Sequence, residues 1–136
     1  MLQVGDIYEC PLSFSQEQER LFMELTGDKN PIHWNQTIAE EEGYEKPILH
    51  GMLAASIIGK VIGMDFPGVG TVNIERCFQF IRPLYAGEAY VLRIKVVEID
   101  TSNHSGVLKF SLKNINNKIC LTGSTRVRNT NQFAVE

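Results

Sequence analysis

The segment Gly27–His33 carries an aspartate and a histidine five residues apart, on a stretch of chain that a regular helix cannot include. A carboxylate and an imidazole held close together can share proton transfer, because one group orients and tunes the other. Pro31 fixes its own φ near about −65° and disfavours a helical backbone at Asn30. The sequence therefore predicts a rigid turn that aims Asp28 and His33 into one cleft. Gly-Asp and Asn-Pro are also common turn sequences, so the alternative is a turn without chemistry.

The composition limits the classes of protein that this chain can form. It has 136 residues, of which 43% are hydrophobic and 21% charged, and this is typical of one globular domain over residues 1–136. The net charge is −3 and the basic residues are scattered, so nucleic acid is not expected as a partner. Neither a signal peptide nor a transit peptide is recognisable, and no apolar run could span a bilayer. The sequence therefore favours a cytoplasmic protein with no membrane partner.

The cysteines indicate a reducing environment. Cys10, Cys77 and Cys120 are odd in number and widely spaced, and they include no CxxC pair. This pattern fits neither a disulfide framework nor a zinc site. We expect all three to be thiols of the core.

Two short helices are predicted on either side of the Gly27–His33 turn. Ser15 and Gln18 form a capping-box pattern for the first helix, which Gly27 ends. The apolar face of this helix, expected to be buried, comprises Leu21, Phe22 and Leu25. Asn35 is expected to cap the second helix, over residues 36–42.

The remaining elements predict a curled sheet around a buried helix. Residues 50–63 read as a third helix that is apolar on nearly every side. Strands are predicted over residues 71–82, 89–99, 107–113 and 118–128, with an edge strand over residues 2–10. Their short connections predict that consecutive strands are antiparallel neighbours. A sheet with one apolar face buries such a helix by curling around it, which gives an α+β fold.

Three segments together resemble a known enzyme family. Residues 22–39 read F-x-x-L-T-G-D-x-N-P-I-H, then five residues and an alanine. Residues 46–56 read K-P-I-L-H-G-M-L-A-A-S, and residues 80–88 read F-I-R-P-L-Y-A-G-E. The first segment matches, without a gap, the hydratase motif of the MaoC-like family of (R)-specific enoyl-CoA hydratases and 3-hydroxyacyl thioester dehydratases. The second resembles the start of that family's central helix, and the third is shared with relatives that lack the activity.

The resemblance implies a fold and a reaction. The fold is a single hot-dog fold, a curled antiparallel sheet around a long central helix, usually paired into a homodimer or a dimer of dimers. The activity is that of a lyase of fatty acid metabolism, which reversibly hydrates trans-2-enoyl thioesters of CoA or acyl-carrier protein to (R)-3-hydroxyacyl thioesters. No metal or redox cofactor is expected, since CoA is part of the substrate.

The resemblance also assigns roles to residues. Asp28 and His33 correspond to the catalytic pair that activates one water, and either residue could abstract or donate the proton. Gly51 corresponds to the residue whose backbone N–H binds the thioester oxygen, and a glycine at a helix start suits a close ligand and a free N–H. Asn30 is expected to brace the turn. The structural alternatives are a neutral His33 bonded to a backbone carbonyl and a Gly51 required only for close packing.

Other candidate residues are left outside the catalytic set. We expect His50 to form a structural hydrogen bond at the start of the third helix and His104 to be solvated in a polar turn. No His, Cys or carboxylate group has metal-ligand spacing, so no metal site is predicted. Many members of the family carry a hydroxyl residue eight positions after the oxyanion glycine. This chain has Gly59 there, which would leave more space in the pocket.

Two other functions share the predicted fold. A hot-dog acyl-CoA thioesterase would place a carboxylate on the central helix, but residues 50–64 contain no Asp or Glu. A non-catalytic acyl-CoA-binding module has no reason to keep the Asp28/His33 turn. The sequence therefore favours hydration over these alternatives.

Overall fold

Three α-helices precede a run of four long strands, and one further strand lies near the start of the chain. The computed structural model describes residues 1–135. The helices are α1 (Gln16–Thr26), α2 (Gln36–Glu41) and α3 (Gly51–Met64), with a 3₁₀ turn at Pro31–His33. The strands are β1 (Ile7–Leu12), β2 (Val72–Phe80), β3 (Tyr90–Asp100), β4 (Ser105–Asn114) and β5 (Ile119–Arg128). Within residues 1–135, none of the helices has the length and hydropathy needed to cross a membrane.

The five strands form one antiparallel sheet in the order β1-β3-β4-β5-β2. The expectation that β2 and β3 are neighbours is wrong, because β2 pairs with β5 and β3 pairs with β1 and β4. The connection between them is residues 81–89. Nine extended residues reach about 30 Å, which exceeds the width of three strand spacings of about 4.8 Å. The expected edge strand exists as β1, although it begins at Ile7 and not near residue 2.

The core lies between α3 and one face of the sheet. Along β3, every second side chain from Tyr90 to Val96 is buried, as the alternation predicted. Ile58 and Ile62 of α3 are completely buried in the same apolar cluster. Each such side chain contributes about 1.5–3 kcal/mol of burial free energy. This sheet around a buried helix confirms the α+β hot-dog fold.

The predicted caps of α1 and the predicted N-cap of α2 are confirmed, while α2 ends at Glu41 and α3 runs from Gly51 to Met64. Ser15 and Gln18 form the complete capping box of α1, and Gly27 ends the helix with a left-handed backbone, φ 75°. The Asn35 side chain accepts a hydrogen bond from the N–H of Ile38 and caps α2. The chain therefore enters and leaves the turn between these helices in a defined direction.

The predicted buried face of α1 is wrong. Leu21 is 50% exposed and Leu25 is 83% exposed, whereas Glu19 is only 1% exposed. Phe22 is half-buried and packs against the core cluster. Glu19 and Phe22 are three residues apart, so they share one helix face, and this face turns inward because Glu19 has a polar partner there.

The expectation of three core thiols holds only for Cys120. Cys120 is buried, Cys10 is half-buried and Cys77 is exposed on β2. The reason is that β2 lies at an edge of the sheet, where alternate side chains face outward. His104 is half-buried, and its Nδ1 lies 3.1 Å from the Phe133 carbonyl oxygen, so it is not a freely solvated side chain.

Candidate functional site

A cavity of about 640 Å³ lies at the N-terminal end of α3. Asp28, His33 and Gly51, which the sequence singled out, all line it. Most of the other lining residues are apolar, and they include Phe22 and Leu84. A largely apolar cavity with a few converging polar groups is typical of a small-molecule site.

Local hydrogen bonds hold Asp28 and its turn. The N–H of Asp28 donates to Thr26 Oγ1 at 3.1 Å, and Asp28 Oδ1 accepts the N–H of Asn30 at 3.2 Å. Asn30 Oδ1 in turn accepts the N–H of Ile32 at 3.4 Å and so caps the 3₁₀ turn that ends at His33. Asn30 therefore braces the turn, and its side chain does not line the cavity.

The His33 ring is fixed by a backbone carbonyl. Its Nδ1 lies 2.8 Å from the carbonyl oxygen of Ile48. Because a carbonyl oxygen only accepts hydrogen bonds, Nδ1 must carry the proton in this contact. In the neutral ring, Nε2 is then the nitrogen with the lone pair. The hydrogen bond to a backbone carbonyl that the structural alternative for His33 expected is therefore present, and His33 nevertheless lines the cavity.

A second histidine lies against the first. The His33 and His50 rings are stacked, with centroids 3.6 Å apart and 24° between their planes. The Phe22 ring contacts His50 from another direction, at 5.1 Å between centroids. His50 is 5% exposed and lines the cavity, so it belongs to the site as well as to the start of α3.

The partner of His50 is Glu19, which the sequence did not single out. The two carboxylate oxygens of Glu19 lie 3.1 and 3.2 Å from the backbone nitrogen of His50, and Oε1 also contacts Nδ1 of the ring. The expected structural hydrogen bond of His50 therefore exists, but it comes from a residue 31 positions earlier. In the sequence, the one sign of this contact was that Glu19 lies three residues before Phe22, on the same face of α1.

His50 also contacts the turn that carries Asp28. Its Nε2 lies 3.1 Å from Asp28 Oδ2 without hydrogen-bond geometry, so the contact is one between charges. The N–H of Asn30 is the largest influence that lowers the pKa of Asp28, and the positive charges available on His50 and His33 lower it further. Asp28 is therefore a carboxylate at neutral pH, although its side chain is half exposed.

Gly51 begins α3, so its N–H has no partner within the helix. The space beside its Cα is already filled. A Cβ at this position would lie 2.5 Å from Cε1 of Phe80 and 2.6 Å from Cδ1. Close packing and a free amide, the two alternatives for Gly51, therefore coexist.

The extra space expected at Gly59 is absent. A Cβ there would lie 2.9 Å from an Nη1 of Arg76, so the guanidinium occupies this space. Burial lowers the pKa of Arg76, whose Nε donates to Thr125 Oγ1 at 3.0 Å. Gly59 and Arg76 do not line the cavity.

Glu19, His33 and His50 each offer a potential metal ligand, and these atoms lie within 4.8 Å of one another. Imidazole binds a metal through a lone pair in the plane of its ring. The rings of His33 and His50 are stacked in nearly parallel planes, so one ion cannot lie in the plane of both rings at bonding distance. The arrangement therefore does not favour a metal centre, and the expectation of no metal remains a prediction.

Comparison with known proteins gives a family and several relatives. The model of the MaoC like domain family matches residues 4–117. An (R)-specific enoyl-CoA hydratase of Aeromonas caviae is 25% identical over 127 residues, covering 93% of this chain and 95% of that protein. A mitochondrial 3-hydroxyacyl-[acyl-carrier-protein] dehydratase of Arabidopsis thaliana is 29% identical over 113 residues, covering 83% of this chain and 67% of that protein.

Solved structures resemble the fold over nearly the whole chain. An (R)-hydratase from A. caviae, described as involved in PHA biosynthesis, superposes with a TM-score of 0.87 and 25% identity over 94% of this chain and 97% of that one. An R-hydratase from Pseudomonas aeruginosa superposes with a TM-score of 0.85 and 26% identity, covering 94% of this chain and 82% of that one.

Proposed function

This chain belongs to the MaoC-like domain family, and from that membership we propose that it is a hydro-lyase that reversibly adds water to 2-enoyl thioesters. Relatives named as an enoyl-CoA hydratase and as an acyl-carrier-protein dehydratase support this substrate class. The observation that carries the proposal is the convergence of Asp28, His33 and Gly51 on one largely apolar cavity. The acyl chain would occupy the apolar part of this cavity.

The proposed proton path begins at His33. Because Nδ1 is occupied by the Ile48 carbonyl, Nε2 of the neutral ring takes a proton from a water held between His33 and Asp28. The remaining hydroxide adds to C3 of the substrate, and the protonated His33 delivers its proton to C2 on the same face. One proton and one hydroxide thus add to the double bond, and His33 returns to its neutral form. A group of this kind contributes about 10²- to 10⁴-fold to the rate.

Asp28 and Gly51 support the two ends of this reaction. The ionised Asp28 accepts a hydrogen bond from the other hydrogen of the water and so orients the attacking oxygen. The N–H of Gly51, at the positive end of the α3 dipole, donates to the thioester oxygen as negative charge develops there. A donor of this type contributes about 10²- to 10³-fold.

The proposed assembly is a homodimer. Strand β2 lies at an edge of the sheet, and its Val72 and Ile74 side chains are more than half exposed. Apolar side chains on an open edge favour pairing with another strand. Light scattering after gel filtration tests this proposal, and a monomer at micromolar concentration would contradict it.

The reaction is tested by incubating the protein with crotonyl-CoA and following the loss of the conjugated thioester absorbance. Chiral analysis should identify (R)-3-hydroxybutyryl-CoA as the product. The same assay with crotonyl-acyl-carrier protein compares the two carriers. Release of free CoA without a hydrated product would instead identify a thioesterase, and saturable binding without turnover would identify a binding module.

The roles of the residues are tested by matched variants. Asp28→Asn and His33→Asn are each expected to lower kcat at least about 100-fold. His104→Asn is the control, because His104 also bonds a carbonyl oxygen through Nδ1 but lies outside the cavity. Wild-type activity in both Asp28→Asn and His33→Asn would rule out the proposed proton path.

A further inference from the structure

Glu19 is a fully buried carboxylate to which the proposed reaction gives no role. It is 1% exposed, and within residues 1–135 every hydrogen bond of its side chain goes to His50. Glutamate is almost never completely buried unless it is paired. Glu19 is paired with His50, which lines the cavity, so its buried charge acts on the site through that residue.

The His50 ring lies between two carboxylates. Its Nδ1 contacts Glu19, and its Nε2 lies 3.1 Å from Asp28 Oδ2 without hydrogen-bond geometry. Carboxylates on both sides of the ring stabilise a positive charge on it. The other titratable or charged side chains around this cavity are His33, Tyr44 and Arg82.

Glu19 reaches two of the three reacting groups through His50. Its contact with Nδ1 fixes the His50 ring, whose Nε2 lies 3.1 Å from Asp28 Oδ2 in a charge contact, and the N–H of Asn30 donates to Oδ1. Through the backbone it holds the N–H of His50, the residue that immediately precedes Gly51. The anchored N–H thus fixes the chain one peptide before the Gly51 amide. Packing of the His50 ring between Phe22 and His33 leaves the ring little freedom to turn away.

We propose that Glu19 is a positioning residue, which acts through a protonated His50 to hold the Asp28 carboxylate and the Gly51 amide in the geometry required for water addition. The proposal rests on the proposed hydratase function. It also makes a statement about His50 that holds without substrate. Glu19 itself does not line the cavity, so it should influence turnover and not substrate binding.

The kinetic test compares two glutamates of α1. Glu19→Gln keeps the shape of the side chain and removes its charge, so kcat is expected to fall about 10- to 100-fold while KM changes less than about threefold. Glu24→Gln is the matched control, since Glu24 is exposed and pairs only with Arg20 on the same helix. Its kcat should stay within about twofold of the wild type. An unchanged kcat in Glu19→Gln, or an equal loss in Glu24→Gln, would overturn the proposal.

Nitrogen-15 NMR of the imidazole rings tests the same link without turnover. The chain has three histidines, so His33→Asn and His104→Asn spectra assign the His50 signals. At pH 7 both His50 nitrogens are expected to be protonated in the wild type, and one should lose its hydrogen in Glu19→Gln. A bare nitrogen in wild-type His50 would overturn the proposal even if Glu19→Gln did not fold. A doubly protonated His50 in a protein without hydratase activity would refute only the proposed function.

Discussion

Replacing Gly51 with alanine tests whether the reaction depends on the exact position of the amide at the start of α3. The new Cβ would lie 2.5 Å from Cε1 of Phe80, whereas carbon atoms in contact are about 3.5–4.0 Å apart. The ring or the helix start must therefore move by about 1 Å. Phe80 is 52% exposed and lines the cavity next to Gly51, so a shift of either the ring or the helix start changes the geometry around the Gly51 amide.

A displacement of this size should affect the reaction more than the stability. Misplacing a reacting group by about 1 Å can cost about 100-fold in rate, so we expect Gly51→Ala to lower kcat for crotonyl-CoA by about that factor. Alanine gains up to about 1 kcal/mol over glycine in a helix, which partly offsets an overpacking cost of about 1–3 kcal/mol. Initial rates and a urea unfolding curve measure the two effects separately.

Two further variants identify the cause. Gly63→Ala lies on the same helix, and no other heavy atom is within 4 Å of its new Cβ, so it should retain wild-type kcat and gain stability. Phe80→Leu removes the ring atoms that meet the new Cβ, so the Gly51→Ala/Phe80→Leu double variant should recover activity relative to Gly51→Ala. Wild-type kcat in Gly51→Ala would refute the expectation that crowding by Phe80 disturbs the amide. An absence of any recovery in the double variant would refute the steric explanation.

Three other predictions concern charge and capping. The pKa of Asp28 lies below its ordinary value of about 3.9. Asp28 is therefore ionised throughout the range from about pH 5 to 8. In that range Asp28→Asn should lower kcat without shifting the acidic side of the pH–rate profile. A shift of that side would contradict the ionised state assigned to Asp28. His50→Leu leaves Glu19 buried without its partner and should cost about 3–5 kcal/mol of unfolding free energy, most of which Glu19→Leu/His50→Leu should regain in urea denaturation. Ser15→Ala removes the capping box of α1 and should cost about 1 kcal/mol, so an unchanged urea midpoint would show that the cap does not stabilise the helix.

Features that depend on neighbouring residues were predictable from the sequence. The partners of the capping box are three positions apart, and the turn that presents Asp28 is braced by Asn30 two residues later. The alternation along β3 was enough to identify its buried face. In each case the interacting groups are close along the chain, so spacing alone determines whether they can meet.

The tertiary structure decided which distant residues meet. Glu19 and His50 are 31 positions apart, and no local periodicity reports that α1 turns Glu19 inward and leaves Leu25 exposed. The same holds for the ring of Phe80 against Gly51, which depends on the placement of β2 beside β5. Local sequence thus determined the turn that carries Asp28 and His33. The contact of Glu19 with His50 and the packing of Phe80 against Gly51 were decided only by the packing of the helices on the sheet. Both contacts depend on which face each element turns inward and on the register of the strands.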